Sequence, residues 1–198
     1  MILFCLTKIF YVAILLCLGT VAVFSQDTAP PDKIVLNKRP LVDFSNLLRE
    51  KLRLGDVDWN GHFSVQMKGV LDEKGRIDPS TVQIVSTGDP ELAAIAVDGI
   101  EAVDASELFA LLKDLGMRPF TLHLSQDADD FTARISTEAE TEARARLIEP
   151  MFRFVIDESK KRLGDSHSPN AKYDLIILNA TSISRRENVL EFQVFMPK

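Results

Sequence analysis

An α+β fold is predicted, an antiparallel sheet with helices on one face. Three observations predict it. Apolar and polar residues alternate over Phe63-Val65-Met67 and over Phe120-Leu122-Leu124, the two-residue period of half-buried strands. Between those strands Leu92, Ile95, Ala96, Gly99, Ile100 and Val103 recur at helical spacing. The composition, 46% apolar and 26% charged over 198 residues, is that of a globular domain and excludes a disordered or collagen-like chain.

In chain order, residues 1–25 differ from all that follows. Lys8 is their only charge, and Ile9 to Phe24 is an uncharged run of 16 residues, short of the ~20 that cross a bilayer comfortably. A basic start, an apolar centre and the exit Val23-Phe24-Ser25 describe a secretory signal peptide cut near Ser25, and an uncleaved N-terminal anchor is the alternative. Cys17 follows Leu15-Leu16, not the small residue a lipidated cysteine requires. Both cysteines, Cys5 and Cys17, lie in this segment, so the cleaved chain has no disulfide, thiolate metal site or cysteine nucleophile. Without Lys8 it carries 22 basic and 29 acidic groups, a net −7, a poor charge balance for a phosphate backbone and hence for nucleic acid. A periplasmic or secreted location follows from cleavage; anchorage to the inner membrane follows from retention.

Residues 26–40 form a polar, proline-containing linker. Leu41 to Leu54 reads as a helix, capped by Asp43 or Ser45 and ended by Gly55. Phe63 to Val70 is a strand, Asp72 to Gly75 a turn in which Gly75 takes positive φ, and Ile77 to Ser86 the partner strand. Asp89-Pro90 opens a helix as N-cap and first residue. Asp104 to Glu107 repeats the capping-box spacing, so the stretch to Gly116 is two helices or one kinked near Asp104. Phe120 to Ser125 and Phe131 to Ile135 are strands joined at Asp127–Asp130. Thr137 with Glu140 caps a helix from about Glu138 to Leu163 that presents Ala139, Ala143, Leu147, Met151, Phe152 and Val155 on one face, with Pro150 kinking it. Gly164 to Lys172 is a loop, Tyr173 to Leu178 a nearly continuous apolar strand, and Val189 to Met196 the last strand, closing with alternating apolar residues. The order is α-ββα-ββα-ββ. It divides at residue 125 into two packed units, 41–125 and 126–198, whose similar ββα plans suggest duplication. Leu92, Ile95, Ile100, Phe152 and Val155 are expected in the core.

The strand Phe63-x-Val65-x-Met67, the turn Asp72-Glu73-Lys74-Gly75-x-Ile77, the exit Val82-x-Ile84-Val85-Ser86-x-Gly88, and Leu92 with Ala96 on the next helix carry a family resemblance. Residues 41–125 resemble the TonB C-terminal domain family. The order helix, hairpin, helix, strand is that family's, and the part from Phe131 onward has no counterpart in its core. The resemblance implies a non-enzymatic, transport-related module of the bacterial envelope that adds a sheet edge to a peptide of a partner protein. Transducers of that family join a retained anchor to the domain through a long proline-rich linker. Here about 15 residues intervene, reaching at most roughly 50 Å, so the fold is expected without the energy-transducing role.

No phosphate-binding loop, dinucleotide fingerprint, zinc-protease helix or serine-hydrolase elbow is present in the sequence, and no catalytic residue, cofactor or metal site is assigned. His62, His123 and His167 are isolated in sequence; His123 falls on the polar side of a strand, and Asp165-Ser166-His167 sits in one loop whose neighbours rarely converge. Asp127, Asp129 and Asp130 lack the glycine and distal glutamate of a calcium loop and read as a hairpin turn. Asn179-Ala180-Thr181 matches a glycosylation sequon at a frequency near chance. Candidate partner contacts are Trp59 and His62 ahead of the first strand, and Gln193 and Phe195 on the last, which is expected to be an exposed edge open to a partner or to self-association. The alternatives are an exported hydrolase working through carboxylates and a histidine, and a structural dimerising module.

Overall fold

The computed structural model describes residues 37–55, 57–166 and 171–197. The segment expected to be a signal or anchor with its cysteines, most of the expected linker, and His167 lie outside the described residues.

The elements run α1 (Arg39–Leu54), β1 (Phe63–Val70), a 3₁₀ turn (Pro79–Thr81), β2 (Gln83–Gly88), α2 (Pro90–Ala105), α3 (Ala110–Asp114), β3 (Pro119–Gln126), β4 (Asp130–Glu138), α4 (Glu142–Gly164), α5 (Ala171–Ala180), β5 (Thr181–Arg186) and β6 (Val189–Pro197). All six strands join one antiparallel sheet in the order β2-β1-β3-β4-β6-β5. The α+β class is as expected, and strands from both halves of the chain share that sheet.

The period-two pattern sorts the sheet into two faces. Val65 and Met67 of β1 align with Leu124 and Leu122 of β3, and these with Ala133 and Ile135 of β4. They pack under α1 and α2 with Leu48, Leu92, Ile95 and Ile100. A second cluster joins Ile148, Phe152 and Ile156 of α4 to Ile183 and Leu190, where Phe152 meets Phe192 edge-on at 4.8 Å between ring centres. Ile177, Leu178 and Met196 form a third.

α1 ends as expected at Gly55, whose N–H bonds Lys51 O. It starts earlier than expected, at Arg39, with Pro40 in its first turn and no side-chain cap, so neither Asp43 nor Ser45 caps it. The Asp72–Gly75 turn forms, with Asp72 accepting from the N–H groups of Lys74 and Arg76 at 2.8 Å each. The Arg76 N–H leads the causes that hold the Asp72 carboxyl below its usual range. Its strand partner shortens to β2, because Leu71 and Ile77 make only an isolated bridge before the 3₁₀ turn.

Asp89 caps α2 as expected, accepting from Glu91 N and Leu92 N. Asp104 does not cap the next helix. Its carboxylate reaches back to Arg76 Nε at 2.9 Å and Ile77 N at 2.8 Å, so a local capping pattern is overruled by a contact 27 residues away. The chain reverses through Glu107 at φ 64° into the short α3.

Three expectations in the second half are corrected. Thr137 is a buried strand residue whose hydroxyl donates to Pro119 O, and the cap of α4 is Thr141, which accepts from Arg144 N. The inward face of α4 is Ala145, Ile148, Phe152, Val155, Ile156 and Ser159, so Phe152 and Val155 are placed as expected while Leu147 is 76% exposed. The apolar run at Tyr173–Leu178 is helix α5, with Ala171, Asp174, Ile177 and Leu178 buried at helical spacing. A short, nearly continuous apolar run fits a buried strand and a buried helix equally. Coiling it frees Thr181–Arg186 to return as β5.

An ion-pair network ties α4 to β5. Glu149 accepts from Arg153 at 2.9 Å and from Arg185 at 3.0 Å, and the Arg153 hydrogen bond is the leading cause that holds its carboxyl below the ordinary range. A carboxylate depressed in the folded state stabilises fully above its unfolded pKa, and that contribution is lost as pH falls through the carboxylate range. Glu149→Gln should therefore lower the melting temperature at pH 7. The gap from wild type should close below about pH 4, as read by a melting series from pH 7 to pH 3.

Candidate functional site

Since β6 lies between β4 and β5, the expected edge strand at Val189–Met196 is an interior strand. The physical reason is α5: once residues 171–180 coil, β5 covers the outer side of β6. Gln193 and Phe195 remain on the helix-free face, but Gln193 lies between two strands, with Arg134 and Ser182 across from it.

The sheet's free edges are β2 and β5. Residues of an antiparallel strand point their backbone groups alternately to one neighbour and the other. Asp89 N–H bonds His62 O, and Leu71 N–H bonds Arg118 O. In the β1 register this directs Ser64, Gln66 and Lys68 toward Thr87, Val85 and Gln83 of β2. The N–H and C=O groups of Ile84, Ser86 and Gly88 therefore face outward. At the opposite end, Ala139 N–H bonds Asn188 O, and the same alternation turns Ile183 and Arg185 of β5 outward. That edge is guarded: an Arg153 guanidinium nitrogen donates to Ile183 O at 2.6 Å, and Arg185 and Arg186 place charge along it.

Among the described residues β2 has no such guard. Its sequence Gln83-Ile84-Val85-Ser86-Thr87-Gly88 contains no charge and no proline, and all six residues are exposed. Charges and prolines are what edge strands ordinarily carry against unwanted pairing. Ile84, opposite Met67, projects on the helix side and is 46% exposed; Val85, opposite Gln66, projects on the other face and is 63% exposed. The sequence signal was the adjacent pair Ile84-Val85, which breaks alternation. It reads as burial when the strand is assumed to be covered.

The helix-free face is polar. One register row crosses all six strands through Val85, Gln66, His123, Arg134, Gln193 and Ser182. Ser64 Oγ and His123 Nε2 are 3.0 Å apart in a hydrogen bond, and Arg134, opposite His123, has its Nε 3.6 Å from Glu191. The Trp59–His62 loop closes the end of the sheet next to β2. Trp59 is half-buried against the first core cluster, Gln126 Nε2 donates to Trp59 O and Gly61 O, and the His62 side chain is exposed beside Gly88. His62 therefore adjoins the end of β2, Trp59 sits in the preceding loop tied to Gln126 of β3, and Gln193 and Phe195 stand four strands from β2.

Among the described residues no group of three or more His, Asp or Glu is placed to hold a metal ion. No helix among them is long and apolar enough to cross a membrane. Asp127 organises its turn by accepting from Asp129 N and Asp130 N. Compared with models of protein families, with curated proteins and with solved structures, the chain matches none.

Proposed function

We propose that the protein is an exported, non-enzymatic module of the TonB C-terminal type that acts by protein–protein contact at the bacterial envelope, with β2 as its contact edge. The observation that carries this reading is the contrast between the two ends of one sheet: β5 is blocked by Arg153 and flanked by arginines, while β2 leaves the backbone of Ile84 and Ser86 open between two exposed apolar side chains. An edge of that kind recruits an extended chain through main-chain hydrogen bonds, and flanking side chains select it. Trp59 and His62, in the loop that leads into β1, supply side-chain contacts. Gln193 and Phe195 are not part of this edge.

Two measurements test the reading on the full chain produced with its leader. N-terminal sequencing of the extracytoplasmic product should find a start near Gln26. A photo-reactive residue at Val85 should give a protein adduct in the envelope, and one at Ser184, on the guarded edge, should not. A product that still begins at Met1 in the cytoplasm, or equal labelling from the two positions, overturns it.

A further inference from the structure

We infer that the partner on the β2 edge is a second copy of this chain, joined antiparallel about a two-fold axis through Val85, so that two six-stranded sheets become one of twelve. This rests on the reading of β2 as the contact edge and names its occupant.

Pairing must match outward-facing residues with one another, which restricts a two-fold register to alignments of Ile84, Ser86 and Gly88 with their own kind. Centring on Val85 sets Ile84 opposite Ser86 of the other copy, and Ser86 opposite its Ile84. Val85 then faces Val85 in a pair without direct hydrogen bonds, the closer of the two pair types at ~4.5 Å between Cα atoms. On the helix side the two Ile84 side chains become diagonal neighbours on the same face, ~7–8 Å apart by backbone spacing. One register thus covers both exposed apolar residues of the edge, each by its own counterpart. Registers centred on Ile84 or Ser86 leave Val85 against Gln83 or Thr87.

Charge does not oppose the same occupant. The chain carries a net −6, which works against association of copies in general, but the uncharged β2 lets two copies meet there without like charges opposed. The opposite edge limits growth. Because Arg153 occupies Ile183 O and Arg185 and Arg186 line β5, pairing cannot continue from the far side, and the assembly closes as a dimer, not a filament. Two strands of six residues, each ~20 Å long, fall short of the ~1,200 Å² of a stable interface. The dimer is therefore expected to be reversible, with concentration-dependent sedimentation.

The test uses the full chain with Cys5→Ser and Cys17→Ser, to which Val85→Cys or Ser184→Cys is added. Under mild oxidation Val85→Cys should form a disulfide-linked dimer at least tenfold faster than Ser184→Cys, with no larger species. Ser86→Pro removes an outward N–H that β1 does not use. Added to Val85→Cys, it should cut cross-linking at least tenfold while the melting curve holds. Should Ser86→Pro fail to fold, Ser86→Lys opposes charge to Ile84 of the other copy and should have the same effect. Cross-linking at Val85 no faster than at Ser184, or a ladder of higher oligomers, overturns the two-fold pairing. A monomer at every concentration whose photo-reactive Val85 labels a different protein also overturns self-pairing but leaves the contact reading standing. A monomer that labels nothing ends both.

Discussion

Phe152→Ala should remove about 3–5 kcal/mol of stability, a large share of the ~5–15 kcal/mol that holds a typical domain together. Phe152 is 3% exposed at the centre of the second core cluster, and its ring meets Phe192 edge-on, a geometry that adds about 0.5–1.5 kcal/mol beyond area burial. The cavity would open between α4 and β6, where Ile148, Ile156 and Leu190 cannot all collapse inward. Leu147→Ala is the control. It lies on the same helix, but its side chain is largely in solvent, and its loss should change stability by no more than about 0.5 kcal/mol. Urea unfolding of the two variants checks the phase of α4 directly. Equal losses would mean that the helix is rotated from the arrangement described.

Gly88→Ala should cost about 2–5 kcal/mol, from ~1–2 kcal/mol for a β-carbon in left-handed backbone and ~1–3 kcal/mol for forcing packed atoms apart. Gly88 has φ +86°, and a Cβ there would stand 2.2 Å from His62 O and 2.9 Å from the Phe63 Cα. Both are backbone atoms, so no rotamer change relieves the clash. His62 O also accepts from Asp89 N, the residue that caps α2, so the displacement spreads to a helix terminus. Gly55→Ala separates the two causes. Gly55 has φ +74° with nothing within 4 Å of the added carbon, and its variant should lose only the backbone part, about 1–2 kcal/mol. Thermal unfolding of both should show the larger drop for Gly88→Ala. The same variant should loosen β2 and weaken dimer formation, whereas Gly55→Ala should leave it intact.

Where one local rule met no competitor, the sequence was sufficient. The period-two residues of β1 and β3, the Asp89-Pro90 start of α2 and the stripe Leu92-Ile95-Ile100 were all legible, because the same residues that favour each element also supply its buried face. The α+β class follows from those elements. Tertiary structure decided the rest. Thr137 with Glu140 is a valid capping box in isolation, yet pairing of β4 with β3 and β6 holds Thr137 in a strand and moves the cap to Thr141. Asp104 has the spacing of a cap but bonds a turn 27 residues upstream. Tyr173–Leu178 has no period to read, and its helical state is set by Ile177 and Leu178 packing beside Met196. That one choice determines which strand covers β6, and with it which edge of the sheet stays free. Alternation along a chain tells which side of a strand is buried. It carries no information about which strand lies last in the sheet, since that depends on hydrogen bonds between segments far apart in sequence. Hence Val189–Met196 reads as an edge, and the edge at that end is instead Thr181–Arg186, while Gln83–Gly88 is the edge at the other.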